Sequence, residues 1–278
     1  MGLLSAECRF PDGLRRDAIS ISSVVRRSAR KYNNTMSPRF FCPVPLAPGA
    51  VIELPEPLAH HAVHVLRLRS GDQLVLFDGT GGEYPARLEA AGRQVRAVLG
   101  PWRDAERESP LDLTLAQALP AGEKMDWVVQ KAVELGVARI APVVCARSVV
   151  RLAGERARRR EEHWRQVMIA ACEQCGRNRL PQLAPLAELA DFLALAAPQL
   201  QAARLLLAPG GDQFLRDIAP GTPVMLLVGP EGGFTEGEEA AALAAGFRRL
   251  SLGPRVLRTE TAGLAALAAL AALFGDFH

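Results

Sequence analysis

The sequence predicts an α/β protein built on a mostly parallel sheet, preceded by a small β-rich barrel. Three observations carry this. Beyond Pro110, short apolar runs alternate with helix-length segments, the pattern of a parallel sheet covered on both faces. Before Arg103 the apolar runs are short and punctuated by Gly71-Asp72, Asp78-Gly79 and Gly81-Gly82. A polar connector, Arg103–Pro110 (RDAERESP), separates the two regimes. At 278 residues the chain is long enough for two such cores.

Residues 1–35 have neither helix nor strand periodicity and are polar and basic. They read as a disordered or mis-assigned extension, with Met36, before SPRFF, as the alternative start. In the first domain, 36–104, strands are expected at Phe40–Val44, Val51–Leu54, Gln73–Phe77, Glu83–Leu88 and Gln94–Leu99, interrupted by a helix over Pro57–Leu68. The second domain, 105–278, opens with a strand at Leu111–Ala118 and a helix at Glu123–Leu135 stopped by Gly136. A strand at Arg139–Val144 and a long helix at Glu155–Cys172 follow. The Ala/Leu-rich stretch Leu186–Leu207 is helical in character, and strands are expected at Arg204–Ala208 and Val224–Val228. Thr235–Ala245 reads as a helix with a Thr235/Glu238 capping box and Gly246 as its stop. Arg249–Leu252 is a strand and Thr261–Phe274 the final helix. That helix is apolar nearly all round, which requires burial on more than one side and predicts a homodimer.

The net charge of +3 comes from the first 35 residues, where seven basic side chains face three acidic ones. Taking these from 33 basic and 30 acidic residues leaves −1 for the remainder, so any nucleic-acid surface must be a local patch. Five scattered cysteines fit a reducing cytoplasm better than a disulfide framework. Cys172-x-x-Cys175 has no second cysteine pair or histidine pair to make a zinc site, and it lies late in a helix, so a structural role is expected.

Two glycine-bearing runs hold the densest signal: Leu226–Gly233 (LLVGPEGG) and Leu252–Ala262 (LGPRVLRTETA). Each is an apolar run breaking into glycine and proline, which reads as tight loops at adjacent strand ends, where open α/β sheets bind ligands. The first has neither the Lys-Ser/Thr of a phosphate loop nor GxGxxG spacing. Bare backbone groups without cations suit an adenine edge or a sulfonium rather than a pyrophosphate. Arginines cluster at Arg147, Arg151, Arg156, Arg158, Arg159, Arg160 and Arg165 as a candidate phosphate track, followed by Gly176-Arg177-Asn178-Arg179 at a helix end. His60 and His64 are one helical turn apart, but neither an HExxH glutamate nor a third ligand accompanies them. No metal is expected, and with Arg67 and Arg69 nearby an RNA-facing helix is the better reading.

Four segments carry a family resemblance: Gly122–Gly136 (GEKMDWVVQKAVELG), Ala170–Pro181 (AACEQCGRNRLP), Leu227–Gly233 and Leu252–Ala262. They resemble the small-subunit ribosomal RNA uridine-N3 methyltransferases (RsmE), of the SPOUT class. His60–Asp72 and Phe77–Gly79 resemble that family's PUA-like RNA-binding barrel. The resemblance runs in order from about Pro38 to His278 and leaves residues 1–35 without a counterpart.

It implies a C-terminal trefoil knot, S-adenosylmethionine bent inside it, and an active site at a homodimer interface. The cofactor loops it implies comprise Leu207, Ala208 and Pro209; Val228, Gly229, Pro230, Glu231, Gly232 and Gly233; and Leu252, Gly253, Pro254, Val256, Leu257 and Arg258. RNA would be met by Arg39, His60, His64, Arg67, Arg69, Arg147, Arg151, Arg177, Asn178 and Arg179. The expected reaction is methylation of N3 of one uridine of 16S ribosomal RNA, on the small subunit and in the cytoplasm. N3 must lose its proton, and charge then builds on O2 and O4. Glu173 or Glu260 is the expected base, and Arg177 or Arg258 the partner of the carbonyl oxygens. Two alternatives stand beside this: a non-catalytic, RNA-binding ribosome-assembly factor, and a knot methyltransferase acting on transfer RNA.

Overall fold

The computed structural model describes residues 37–91, 94–196 and 201–277, so the reading of residues 1–35 lies outside the described residues. The first sheet has five strands: β1 (Arg39–Phe41), β2 (Val51–Glu53), β3 (Gln73–Phe77), β4 (Tyr84–Ala91) and β5 (Gln94–Leu99), in the order β1-β3-β4-β5-β2. β1 runs parallel to β3; the remaining pairs are antiparallel. Alternation sends Leu74 and Leu76 of β3, and Leu88 of β4, into one core with Phe40, Leu54 and Ala97. Between β2 and β3, α1 (Glu56–His60) closes this core with Leu58. The helix expected over Pro57–Leu68 is shorter. It widens into a π-type turn at His61–Val65 and then breaks at Arg67, a non-glycine residue at φ 59°.

The second sheet is wholly parallel. Its strands are β6 (Leu113–Ala118), β7 (Arg139–Val144), β8 (Gln182–Leu183), β9 (Ala187–Glu188), β10 (Ala203–Leu207), β11 (Val224–Val228) and β12 (Arg248–Leu250). Their order is β12-β10-β11-β6-β7-β8, with β9 also on β7. Every residue of β6 and β11 is buried. Leu113, Leu115, Val224, Leu226 and Val228 point to one core, and Ala116, Ala118, Met225 and Leu227 to the other. The helices α2 (Lys124–Glu134), α3 (Gly154–Cys175) and α6 (Thr259–Phe274) cover the first face; α4 (Leu189–Ala196) and α5 (Glu236–Ala244) cover the second. The expected capping box of α5 is formed: Thr235 Oγ1 accepts the Glu238 N–H at 3.2 Å, and Glu238 Oε2 accepts the Thr235 N–H at 2.8 Å. No helix among the described residues is long and apolar enough to cross a membrane.

Four expectations need correction. The strands before the two glycine runs, β11 and β12, are not adjacent, because β10 lies between them. The Leu186–Leu207 stretch is only partly helical, as β9, α4 and β10 divide it. The long helix runs on to Cys175, where Gly176 stops it at φ 87°. The polar Arg258–Thr261 segment is not a loop: Arg258 is the N-cap of α6, and Thr259 opens the helix.

From β12 at the sheet edge the chain returns to lay α6 against β11 and β6. Gly263 makes this approach possible, since a Cβ there would sit 2.9 Å from Leu115 Cδ1 and 3.2 Å from Val228 Cγ2. Gly263→Ala is therefore expected to destabilise the fold by about 1–3 kcal/mol through overpacking. Urea denaturation checks this, and an unchanged midpoint would contradict it.

Candidate functional site

Three loops at the C-terminal ends of β10, β11 and β12 enclose a cavity of about 490 Å3. Leu207, Ala208 and Pro209 supply one wall, and Val228, Gly229, Pro230, Glu231 and Gly233 a second. Val256, Leu257 and Arg258 form the third. A recess of about 70 Å3 shares Leu207–Pro209 with this cavity and adds Leu252 and Gly253. Of the residues expected to hold a cofactor, only Gly232 and Pro254 line neither space. Gly232 instead lies against Arg147, whose Nη1 donates to the Gly232 and Phe234 carbonyls at 2.9 and 3.2 Å.

The walls are held by a buried relay. Gln117, on the central strand β6, is fully buried, and its Nε2 donates to Thr259 Oγ1 at 2.9 Å. Thr259 Oγ1 in turn donates to the Gly229 carbonyl at 2.5 Å. Gly229 has no room for a side chain, because a Cβ would meet the Phe234 ring at 2.9 Å. At the mouth, Glu231 accepts from the Ala121 N–H and from Lys124 Nζ, both at 3.0 Å, and Lys124 reaches Glu260 Oε1 at 3.4 Å. Burial pushes the Glu231 carboxyl up, but Lys124 and the backbone N–H groups outweigh it and hold it below the ordinary range. Glu260 Oε2 is buried without a hydrogen-bond partner.

The site residues expected from the sequence leave out five that line this cavity: Lys124, Phe234, Glu239, Thr259 and Ala262. Lys124 sits in the GEKMDW motif, which is its one signal. Its partners come from distant segments, and spacing along the chain does not reveal them.

Several expected site residues lie elsewhere. Arg177 is 5 % exposed and grips Glu108 through Nε and Nη2 at 3.0 and 2.5 Å. Its Nη1 donates to the Val133 and Val137 carbonyls at 3.0 and 2.9 Å, so Arg177 ties the connector to the end of α2 and does not line the cavity. Asn178 is fully buried, donating to the Ala105 carbonyl and accepting from Arg39. Arg39, with a 6 % exposed side chain, also pairs with Glu83 at 2.5 Å. All three are held by internal partners within the fold. Burial raises the Glu83 carboxyl, but the hydrogen bond and charge of Arg39, with Asn178 and Arg107, bring it below the ordinary value. Glu173 accepts the Phe41 N–H at 2.9 Å and is not in the cavity.

Of the remaining expected RNA contacts, His60, His64, Arg67, Arg69, Arg147, Arg151 and Arg179 are exposed; Arg179 pairs with Glu106 at 3.3 Å, and Arg151 donates to the Ala146 carbonyl. Within the arginine cluster, Arg158 and Arg159 pair with Glu155, and Arg160 with Asp126 at 3.8 Å. Arg156 and Arg165 have no ion pair among the described residues. The Cys172 thiol, pushed to about 12 by burial, is inert at neutral pH, as a structural role requires.

The cavity's chemistry suits a ligand with an apolar body and a positive or N–H-rich end. Leu, Val, Pro and Phe side chains line it together with Glu231, Glu239, Arg258 and Glu260, its one lysine is taken up by two carboxylates, and the buried Oε2 of Glu260 has no hydrogen-bond partner among the described residues. S-adenosylmethionine fits that donor set.

The chain matches two family models: an RNA methyltransferase domain over residues 107–271 and an RNA methyltransferase PUA domain over residues 54–98. It is 32 % identical over 219 residues to the ribosomal RNA small subunit methyltransferase E of Bacillus subtilis, covering 76 % of this chain and 86 % of that protein. The enzyme of the same name from Mycobacterium tuberculosis is 35 % identical over 231 residues, covering 81 % and 87 %. Among solved structures, the Neisseria gonorrhoeae ribosomal RNA small subunit methyltransferase E bound to S-adenosylmethionine superposes with a TM-score of 0.80 at 39 % identity, over 87 % of this chain and all of that one. A Legionella pneumophila chain with the same bound cofactor gives 0.82 at 40 % identity, over 87 % and 99 %.

Glu83→Gln leaves Arg39 buried and unpaired, with an expected loss of about 3–5 kcal/mol at neutral pH. Because the Glu83 carboxyl is lowered in the fold, its contribution is present above the unfolded carboxylate value and fades as pH falls through the folded one. The gap between variant and wild type should therefore narrow in acid. Denaturation midpoints across pH check this, and a constant gap would contradict it.

Proposed function

The chain belongs to the ribosomal RNA small subunit methyltransferase E family, and from that premise we propose that it methylates N3 of one uridine in 16S ribosomal RNA, using S-adenosylmethionine, in the cytoplasm. One observation supports the cofactor reading above all: loops from β10, β11 and the start of α6 converge on one cavity that has no phosphate cradle and carries a free acceptor at Glu260. The relatives' names favour ribosomal over transfer RNA, and the intact cavity speaks against a purely scaffolding protein.

When bound, S-adenosylmethionine supplies an electrophilic methyl group on a sulfonium. Leu207–Pro209, Gly229–Glu231 and Gly233 would hold its adenosine part through backbone groups, and Leu257 would pack against it. Uridine N3 carries a proton and must lose it to become nucleophilic. Glu260 Oε2, unpartnered while Lys124 holds Oε1, would take that proton. Arg258 lines the same cavity, is exposed, and has no ion pair among the described residues. It would meet the charge growing on O2 and O4. With Arg177 engaged by Glu108, Arg258 remains the candidate for that role.

The return of the chain from β12 to α6 is where we place the family's trefoil knot. A second copy is proposed against α6, where Leu264, Ala265, Ala268 and Ala269 are half-buried and Ala272 and Leu273 exposed.

Incubation with labelled cofactor and small ribosomal subunits, followed by nucleoside mass spectrometry, should yield N3-methyluridine. Label in another nucleoside, or none, would overturn the reading. Glu260→Gln should lower kcat by about 100-fold or more. An unchanged kcat would remove Glu260 as the base.

A further inference from the structure

A second cavity, of about 400 Å3, shares no lining residue with the first. It opens between the barrel's β1 and α1 on one side and α3 on the other. Its α3 wall is a single helical stripe, Gln166, Ile169, Ala170 and Glu173, spaced i, i+3, i+4, i+7. Facing it are Phe41 and His61, with three prolines from the segments around them.

The polar groups here are few and fixed. Glu173 is held across the gap by the Phe41 N–H, and its second oxygen makes no hydrogen bond among the described residues. Burial raises its carboxyl, against the pull of the Phe41 N–H, His61 and Arg39, so it can serve as acceptor or, once protonated, as donor. Gln166 donates to Glu162 at 2.8 Å, which leaves its carbonyl oxygen as an acceptor. His61 is exposed, with its ring edge-on to Phe40 at 5.6 Å between centroids.

Charge around it is mixed: Arg67 and Arg69 follow the π-type turn that carries His61, exposed and without an ion pair among the described residues, while Glu56 on α1 and Glu162 on α3 are exposed too. Aromatic faces, a few edge-reading groups and flanking cations are what an unstacked base with its phosphates requires. The volume lies in the range of single-ligand pockets.

We propose that this cavity binds one unstacked base of the RNA substrate, separate from the methylated uridine, and so sets the register in which that uridine reaches the first cavity. The proposal rests on the reading of the protein as an RNA methyltransferase. Phe41 and His61 would pack against the base, while Glu173 and Gln166 meet its edge. Glu173, expected from sequence to line the active site, thereby becomes a positioning residue, remote from the methyl transfer.

The test is Ala170→Phe, which fills the cavity from an exposed helix position and leaves the core intact. The probe is a thiouridine-bearing single-stranded fragment of small-subunit ribosomal RNA, followed by fluorescence anisotropy and by ultraviolet crosslinking with peptide mapping. Wild type should crosslink in the β1 and α1 segments. The variant should lose those crosslinks, bind the RNA about tenfold more weakly and show a correspondingly raised KM for subunits. Its S-adenosylmethionine affinity and circular dichroism should match wild type. Gln166→Ala should give a smaller loss in the same direction. Unaltered RNA binding by Ala170→Phe, or a shift in its oligomeric mass, would overturn the proposal, the latter by making the cavity a contact between copies. If wild type itself neither binds nor methylates the RNA, the enzymatic reading fails as well. If wild type methylates and Ala170→Phe is indistinguishable from it, only the cavity assignment fails.

Discussion

A buried amide on the central strand governs the active half of the molecule. Gln117 is surrounded by an otherwise apolar parallel sheet, and a side-chain amide in that setting must find partners or cost about 1–3 kcal/mol per unmet group. Its Nε2 finds the Ala118 carbonyl and Thr259 Oγ1, while its buried Oε1 has no hydrogen-bond partner among the described residues. Thr259 has a single hydroxyl proton, already committed to Gly229, so the relay has one direction and one geometry. Through it, the centre of the sheet dictates where α6 begins and where the GPEGG loop stands. Gly263, one turn into α6, lets the helix settle against Leu115 and Val228, and the cavity walls follow from that seat.

A second set of buried polar ties joins the barrel to the α/β part. Gly176–Arg179 leaves α3 through a left-handed glycine, and nearly every polar group in it is engaged: Arg177 with Glu108, Asn178 with Arg39 and Ala105, the Gly176 carbonyl with Arg107. Breaking one partner of such a pair strands a charge, which is why a segment that looks like a recognition loop behaves as a joint. The joint fixes the separation of β1 from α3, and with it the second cavity.

Much of this is legible in the residues. Near-continuous apolar runs identify β6, β7 and β11 as doubly buried strands, and the Thr235/Glu238 pair marks the start of α5 correctly, because both signals are local. Strand order is not local, and nothing in the two glycine runs betrays that β10 lies between the strands preceding them. The start of α6 escapes a reading along the chain because Arg-Thr-Glu-Thr looks like polar loop, although Thr259 is buried and helical. The burial of Arg39 and Arg177 is hidden for a related reason: an arginine that meets a phosphate and one that meets a buried carboxylate look identical along the chain. Lys124 stays hidden because Glu231 and Glu260 reach it only through the fold.

The relay from Gln117 through Thr259 to Gly229 is most directly tested by the cofactor affinity of Thr259→Val, which keeps the side chain's shape and replaces the hydroxyl with a methyl group. Calorimetric titration with S-adenosylmethionine should show a loss of about tenfold or more, with the variant still folded, since the Gly229 carbonyl loses its donor and the loop its anchor. A folded Thr259→Val protein that binds the cofactor as tightly as wild type would contradict the claim that this relay holds the site together.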